Sequence, residues 1–405
     1  MPRRSAATAG LAVLLLTALT ALTALAAGPG AVPAPAAARA GGTGTTLAAS
    51  PLSPGTRPAG ARGRGDAIFG RLNDDRYPDE AYLGTVGSTL CSVIVQYGTP
   101  DGGFGYPVAY VYLRPGLDGG GAVNCPDIGV AVDLNRDRID ELVVGWFAGP
   151  PRAAPFPLLV LASGTFQPTR TLSTATFEPS WMGVAELNGD GHPDLYLLND
   201  QGDGYETYLA GGADVLTRGP ERWCATPEQL DLRDFDADGA QDVLVSYILE
   251  CADESSGVVV LLDDGTFQRL HRDPTGAATW LASIVDANGD GHPDVRTVET
   301  ATGAATWFIN THNGRFAAAP TAVDDQFRVP EHGSTGLDVL GNDLVTTATR
   351  IDLVRPPRYG TARVTSGRTV TYVPRPQHES SDSFVYRLTL DGRTSEAKVS
   401  LRITG

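Results

Sequence analysis

Lysine is nearly absent from this sequence: Lys398 is the one example in 405 residues. A lysine nucleophile or Schiff base therefore has almost nowhere to sit. The first 64 residues hold six arginines and no acid, and the remainder carries 25 basic against 47 acidic side chains, a formal charge of −22. A surface that acidic repels phosphate backbones, which argues against nucleic acid as a partner and makes divalent cations the natural counterions. Neither a G-x-S-x-G elbow nor an H-E-x-x-H pair occurs, so two common hydrolase signatures are missing. Apolar runs of spanning length are missing too. The longest, Leu11 to Ala27, is about 17 residues, short for a hydrocarbon core of ~30 Å.

That run follows Arg3 and Arg4 and precedes the small-residue stretches Ala24-Leu25-Ala26 and Ala36-Ala37-Ala38. It reads as a signal peptide over residues 1–38, with twin-arginine export and an uncleaved anchor as alternatives. Residues 39–65, rich in Ala, Pro, Gly and Thr, are expected to be a disordered linker. Export puts the mature protein outside the cell with no membrane insertion. It also makes Cys91, Cys125, Cys224 and Cys251 candidates for two disulfides. Of the three possible pairings, Cys91–Cys125 and Cys224–Cys251 are favoured. Each closes a loop of roughly 30 residues within one structural unit, a constraint on the unfolded chain of ~3 kcal/mol.

What the sequence does have is a repeat. "DLNRDRIDELVV" starts at Asp133, "ELNGDGHPDLYLL" at Glu186, "DFDADGAQDVLV" at Asp234 and "DANGDGHPDVRTV" at Asp286, spacings of 53, 48 and 52 residues. A weaker copy, "RLNDDRYPDEAYL", starts at Arg71. Short apolar runs flank each loop, for example "IGVAV" before and "LVVGWF" after, and a Gly-Xaa-Phe signal such as "DGTFQRL" follows a third run. These runs are four to eight residues, rich in Val, Ile, Leu and aromatics, and bounded by Gly, Asp and Asn, so they read as strands. The 48 glycines and 29 prolines suit many short strands joined by turns. Four strands per ~50-residue unit is a β-propeller blade. The expected fold is all-β, with a propeller of about five four-stranded blades over residues 66–318, most simply a closed ring.

Numbering each loop 1 to 9, side-chain oxygens fall at 1, 3, 5 and 9. They belong to Asp133, Asn135, Asp137 and Glu141; Glu186, Asn188, Asp190 and Asp194; Asp234, Asp236, Asp238 and Asp242; and Asp286, Asn288, Asp290 and Asp294. Calcium takes six to eight hard oxygen ligands. A curled loop can supply alternate side chains, and position 7 (His192, Ala240, His292) adds a main-chain carbonyl. Glycine at position 6 allows a left-handed turn; Arg138 in its place is expected to strain the second loop. The fourth loop, with four aspartates, is expected to bind tightest, and the Arg71 copy to keep the turn without the ion. Affinities should be weak, about 10⁻⁴–10⁻³ M as in extracellular modules. An EF-hand is excluded, because position 12 is apolar in the copies containing Val144, Leu197 and Val245, and strands rather than helices flank the loop.

These loops, their spacing and the Gly-Xaa-Phe strands resemble the FG-GAP or VCBS repeats of bacterial secreted proteins, related to the calcium-bearing blades of integrin alpha-chain propellers. The resemblance implies calcium in the loop between the first two strands of a blade and leaves the partner open.

From residue 319 the period stops. Seven strand candidates follow, with Phe384, Tyr386, Leu388 and Leu390 on one face of one and Ala397, Val399, Leu401 and Ile403 on one face of another. Asp391-Gly392 between them is a hairpin signal. An Ig-like β-sandwich is expected over 319–405. The stretches "VDDQF", "VLGND", "TVTYVP" and "SDSFVYRL" resemble bacterial cadherin-like or Ig-like domains. Asp324, Asp325 and Asp343 are read as solvated turn residues.

The functional expectation is a secreted, monomeric, calcium-stabilised binding or adhesion protein for a glycan or an extracellular protein. A propeller-based polysaccharide lyase or hydrolase and a passive scaffold are the alternatives. Trp146, Trp181, Trp223, Trp280 and Trp307 offer faces for sugars, but their apolar surroundings in sequence favour packing between blades.

Overall fold

Why short strands form is visible in the burial of their residues: β-branched and aliphatic side chains alternate or run continuously through them, as in "ELVVG" and "SGVVVL", which are buried throughout. The computed structural model describes residues 61–87, 90–113, 125–146, 156–174, 179–199, 204–212, 215–365 and 368–405. All described elements are strands. The signal-peptide expectation and most of the expected linker lie outside the described residues.

A two-residue strand β1 (Arg62–Gly63) comes first. The first repeat sheet contains β2 (Ile68–Gly70), β3 (Asp79–Val86), β4 (Leu90–Gln96) and β5 (Val108–Leu113), the second β6 (Ile128–Val132), β7 (Glu141–Gly145), β8 (Phe156–Leu161) and β9 (Pro168–Thr174). The third holds β10 (Trp181–Ala185), β11 (Asp194–Asn199), β12 (Gly204–Ala210) and β13 (Leu216–Trp223). The fourth holds β14 (Thr226–Arg233), β15 (Asp242–Ile248), β16 (Ser256–Leu261) and β17 (Phe267–Asp273), and the fifth β18 (Trp280–Val285), β19 (Asp294–Glu299), β20 (Ala305–Asn310) and β21 (Phe316–Ala319). Each is an antiparallel meander in chain order. The acidic loop always lies between its first two strands.

Each sheet shares an apolar core with the next. Val93 and Ile68 of the first meet Leu142, Val144 and Leu161 of the second; Val130 and Leu158 of the second meet Leu195 and Leu197 of the third. Tyr196 and Tyr205 of the third meet Val243 and Tyr247 of the fourth, and Val258 and Val260 of the fourth meet Val295 and Phe308 of the fifth. The fifth sheet shares its other core with the C-terminal domain: Ala287, Ile309 and Ala319 pack with Leu390. Trp307 donates to Asp391 at 2.7 Å and Arg393 donates to Thr306 at 2.6 Å across the same joint.

Residues 61–65, assigned to the linker from sequence, are ordered in part by pairing. β1 adds antiparallel to β10 at the edge of the third sheet, Arg62 opposite Met182 and Gly63 opposite Trp181. Ala61 is fully buried. Gly63 lies so close to the Trp181 ring that a Cβ would sit 2.4 Å from it, so this edge strand needs glycine there. Composition hid it because the strand is two residues long and nearly devoid of large apolar side chains.

The C-terminal domain has the expected seven strands: β22 (Asp325–Pro330), β23 (Thr335–Leu337), β24 (Arg350–Arg355), β25 (Gly360–Val364), β26 (Val370–Pro374), β27 (Ser381–Leu390) and β28 (Arg393–Thr404). They form two sheets, β22-β28-β27-β24 and β23-β26-β25. Their shared core includes Phe384, Tyr386, Leu388, Ala397, Val399, Leu401 and Ile403. Asp391 and Gly392 turn the long hairpin with φ of 46° and 80°, the both-positive signature of a type I′ turn.

Both favoured disulfides are present, Cys91–Cys125 with Cα atoms 5.3 Å apart and Cys224–Cys251 with 5.4 Å. Trp146 and Trp223 are buried in sheet cores, and Trp280 stacks on His271 with centroids 4.7 Å apart. Packing therefore accounts for these tryptophans.

Candidate metal loops

The five loops share one hydrogen-bond design. One oxygen of the ninth-position carboxylate (Asp79, Glu141, Asp194, Asp242, Asp294) accepts the second-position N–H at 2.8, 3.0, 2.8, 2.7 and 2.8 Å. In four loops the other oxygen accepts an N–H at or just past the end of the sheet's third strand: Gly98, Ala210, Asp263 and Asn310. Position 9 thus ties the loop to its own blade as well as offering oxygens. These side chains are almost fully buried. Burial first, then the charges of Glu186 and Asp190, pushes Asp194 up to about 6 despite its two backbone bonds. Burial likewise pushes Asp242 up to about 7. Desolvation outweighs mutual repulsion here, and a bound dication would reverse both.

Position 5 accepts the N–H of position 7 in every copy, as in His192 to Asp190 at 2.7 Å and Ala240 to Asp238 at 2.8 Å. Position 1 accepts from position 6: Arg138 to Asp133, Gly239 to Asp234 and Gly291 to Asp286. The backbone can make these bonds because positions 4 and 6 are left-handed. Gly189 and Gly191, Ala237 and Gly239, and Gly289 and Gly291 all have positive φ; in the second loop Arg136 and Arg138 do so at 63° and 76°. Two arginines there are strained where glycine would not be. The Arg71 copy keeps the Asn73–Asp75–Tyr77 bonds, while Asp74 and Arg76 are not left-handed.

Adjacent loops are also stitched together. The eighth-position N–H of Asp140 bonds the Arg71 carbonyl at 2.7 Å, and that of Gln241 bonds the Glu186 carbonyl at 2.8 Å. Pro193 and Pro293 occupy position 8 in the third and fifth loops and have no N–H. Side chains replace the missing bond: Arg136 donates to the Asp190 carbonyl, and Asn310 bridges the carbonyls of Phe235 and Pro293. Thr347 of the sandwich donates to the Ala287 carbonyl of the fifth loop at 2.8 Å.

Three loop oxygens are buried with no hydrogen-bond partner: Asp133 Oδ1, Glu186 Oε1 and Asp236 Oδ1. Native proteins rarely leave such atoms unmatched. A hard cation is the partner that this all-oxygen donor set fits. The fourth loop gathers its acids most tightly: ligand atoms of Asp234, Asp236 and Asp242 lie within 4.8 Å of one another, and so do those of Asp236, Asp238 and Asp263. Asp263 was missed from sequence because it lies in the β16–β17 turn, 21 residues past Asp242. The Gly-Xaa-Phe signal "DGTFQRL" that follows Asp263 points to a strand and not to a ligand. Asn135, Asn188 and Asn288 stand at position 3 in the other loops, and among the described residues none of those gathers three acids so closely. The imidazole of His292 packs on His312 with ring centroids 4.2 Å apart.

In the sandwich, the reading of Asp325 and Asp343 as solvated turn residues is overturned. Asp325 is 7% exposed, and both oxygens of Asp343 accept the buried Tyr386 hydroxyl at 2.9 and 2.8 Å. A buried tyrosine hydroxyl needs a partner, and Asp343 supplies it.

No curated protein sequence matched the chain. Among the described residues no helix is long and apolar enough to cross a membrane. The family model of an FG-GAP-like repeat matches residues 234–297, the stretch that opens on the tightest loop and ends in β19. The bacterial Ig domain model matches residues 317–404. The chain thus carries an FG-GAP-like repeat followed by a C-terminal bacterial Ig domain.

Proposed function

We propose that this protein is an extracellular, calcium-stabilised binding or adhesion protein without catalysis of its own. The unmatched buried oxygens of Asp133, Glu186 and Asp236 support it most directly. Two disulfides and the pairing of an FG-GAP-like repeat with an Ig domain favour an oxidising, extracellular setting.

Calcium is held by the side chains at positions 1, 3, 5 and 9 of the loops starting at Asp133, Glu186, Asp234 and Asp286, with position-7 carbonyls. Bound, it supplies positive charge that makes packing of the buried carboxylates favourable. The protein's own part is to hold the oxygens in place through left-handed turns and ninth-position clamps. The ion therefore acts on the folded state, and it stiffens the surface that meets a partner.

Titration calorimetry with calcium chloride tests this. Asp236→Ala removes a side chain common to both fourth-loop clusters and should reduce the calcium stoichiometry while the other sites remain. In differential scanning calorimetry, calcium at 100 times its Kd adds about 2.7 kcal/mol per site, a gain that EGTA abolishes. Absence of uptake together with an EGTA-indifferent unfolding curve would sink the reading.

A further inference from the structure

The chain's charge is distributed very unevenly. Residues 65–318 hold 14 Arg and Lys against 37 Asp and Glu, whereas residues 319–405 hold 11 against 10. Within the sandwich the cations are concentrated on the outer face of the β22-β28-β27-β24 sheet. Lys398 and Arg402 alternate with the inward-facing Ala397, Val399 and Leu401 along β28, and Arg402 lies directly opposite Arg328. Val385 separates Lys398 from Arg355 on the next strands. Arg358 follows, its guanidinium 5.2 Å from the centroid of the Tyr359 ring.

These side chains border a groove of about 690 Å³ that Arg355, Arg358 and Lys398 line. It continues into a second depression of about 350 Å³ that includes Arg328 and Arg402, with Ser400 common to both. Neutral hydroxyls of Ser381 and Ser383 lie between the charges. All five cationic residues are exposed, and among the described residues none of them forms an ion pair of the kind that joins Arg387 to Glu396, two residues before Lys398 on the same face. Asp382 touches the groove, but its oxygens accept the N–H groups of Arg358 and Tyr359 and the Tyr372 hydroxyl of the opposite sheet. Asp324, whose oxygen takes the backbone N–H of Lys398, Asp352 and Glu396 are the nearby surface acids, and Glu396 is paired with Arg387.

We propose that this groove binds an anionic polysaccharide, one carrying carboxylate or sulfate groups at regular intervals. Strands in a sheet lie ~4.8 Å apart, so cations on neighbouring and next-neighbouring strands stand about 5 and 10 Å apart. That spacing suits a chain bearing one negative group on every sugar or every second sugar. Arginine forks pair well with carboxylate and sulfate, serines serve sugar hydroxyls, and the Tyr359 ring offers an apolar face. The strongly acidic repeat region disfavours a long, stiff polyanion such as duplex DNA. The inference rests on the extracellular binding role proposed above and names a ligand class and a place for it.

The test uses the full chain in calcium, with polygalacturonate and dextran sulfate as probes and neutral dextran and duplex DNA as controls. Either polyanion should bind, more weakly as salt rises, and neutral dextran should not. The double variant Lys398→Glu/Arg402→Glu should bind at least tenfold more weakly, and Arg355→Ala/Arg358→Ala also more weakly, with unfolding temperatures unchanged. Lys398→Arg should retain binding, which separates lost charge from lost shape. Binding within twofold of the parent in both double variants, absence of polyanion binding at low salt, or tighter binding of DNA would each overturn the inference. Calcium stoichiometry on the same samples reports on the broader reading separately.

Discussion

The repeat sheets and the sandwich use the same residue, aspartate, in different ways. In the sheets it crowds onto inter-strand loops, and buried oxygens of Asp133 and Asp236 are left without a donor. In the sandwich most are matched internally: Asp382 accepts the N–H groups of Arg358, Tyr359 and Ser383 and the Tyr372 hydroxyl, and Asp343 takes the Tyr386 hydroxyl together with the Val323 N–H, while one buried oxygen of Asp325 has no donor. The difference teaches where carboxylates find their donors. The repeat loops gather several acids around few donors, whereas most sandwich aspartates are matched by N–H groups and tyrosine hydroxyls of the same domain.

Three perturbations would break or sharpen that contrast. The largest effect is expected from Asp382→Ala, which strands a buried tyrosine hydroxyl and the N–H groups bound to the carboxylate. It should destabilise the sandwich by about 3 kcal/mol, read by chemical denaturation, and the loss should be the same with and without EGTA. A calcium-dependent loss would erase the distinction between the two regions.

Next comes Glu221 on β13, 2% exposed on the face of the third sheet turned toward the fourth. Burial first, then the charges of Asp242 and Asp263, pushes its carboxyl up to about 9. The folded state therefore holds this proton between roughly pH 4.5 and pH 9, where the unfolded state has lost it. Stability from this group is complete below the unfolded value and falls as pH rises through that window. Glu221→Gln should flatten the decline and stabilise the protein at pH 8 by on the order of 2 kcal/mol. Parallel pH–stability curves for parent and variant would remove Glu221 from the explanation.

The smallest effect is expected at the second loop. Arg138→Gly relieves a left-handed arginine at φ 76° and should stabilise the calcium-free protein by about 1 kcal/mol. It should also tighten calcium in that loop alone. Unchanged stability would mean that the strain is offset by contacts of the Arg138 side chain.

Much of this was legible in the primary sequence, for a physical reason. A repeat with period near 50, alternating apolar runs and a Gly-bounded acidic loop are local patterns, and local backbone preferences act through neighbours in the chain. The same holds for the Asp391-Gly392 turn and for disulfides that close short loops. Asp263, by contrast, joins the fourth loop only because β16 runs antiparallel to β15 and returns its end to Asp242. β1 was illegible because two residues, an arginine and a glycine, carry no periodicity. Asp325 and Asp343 looked like turn residues because nothing nearby in sequence names Tyr386 as their neighbour.

The sequence by itself therefore determined the all-β architecture and the position of every acidic loop, since each rests on spacing along one stretch of chain, while it only favoured one of three cysteine pairings. Only the tertiary structure decided which carboxylates are clamped by backbone and which keep a buried oxygen without a donor. It also decided that five cations distant in sequence, Arg328 through Arg402, share one face. Burial and cross-strand register are collective properties of packed sheets, and no window of residues contains them.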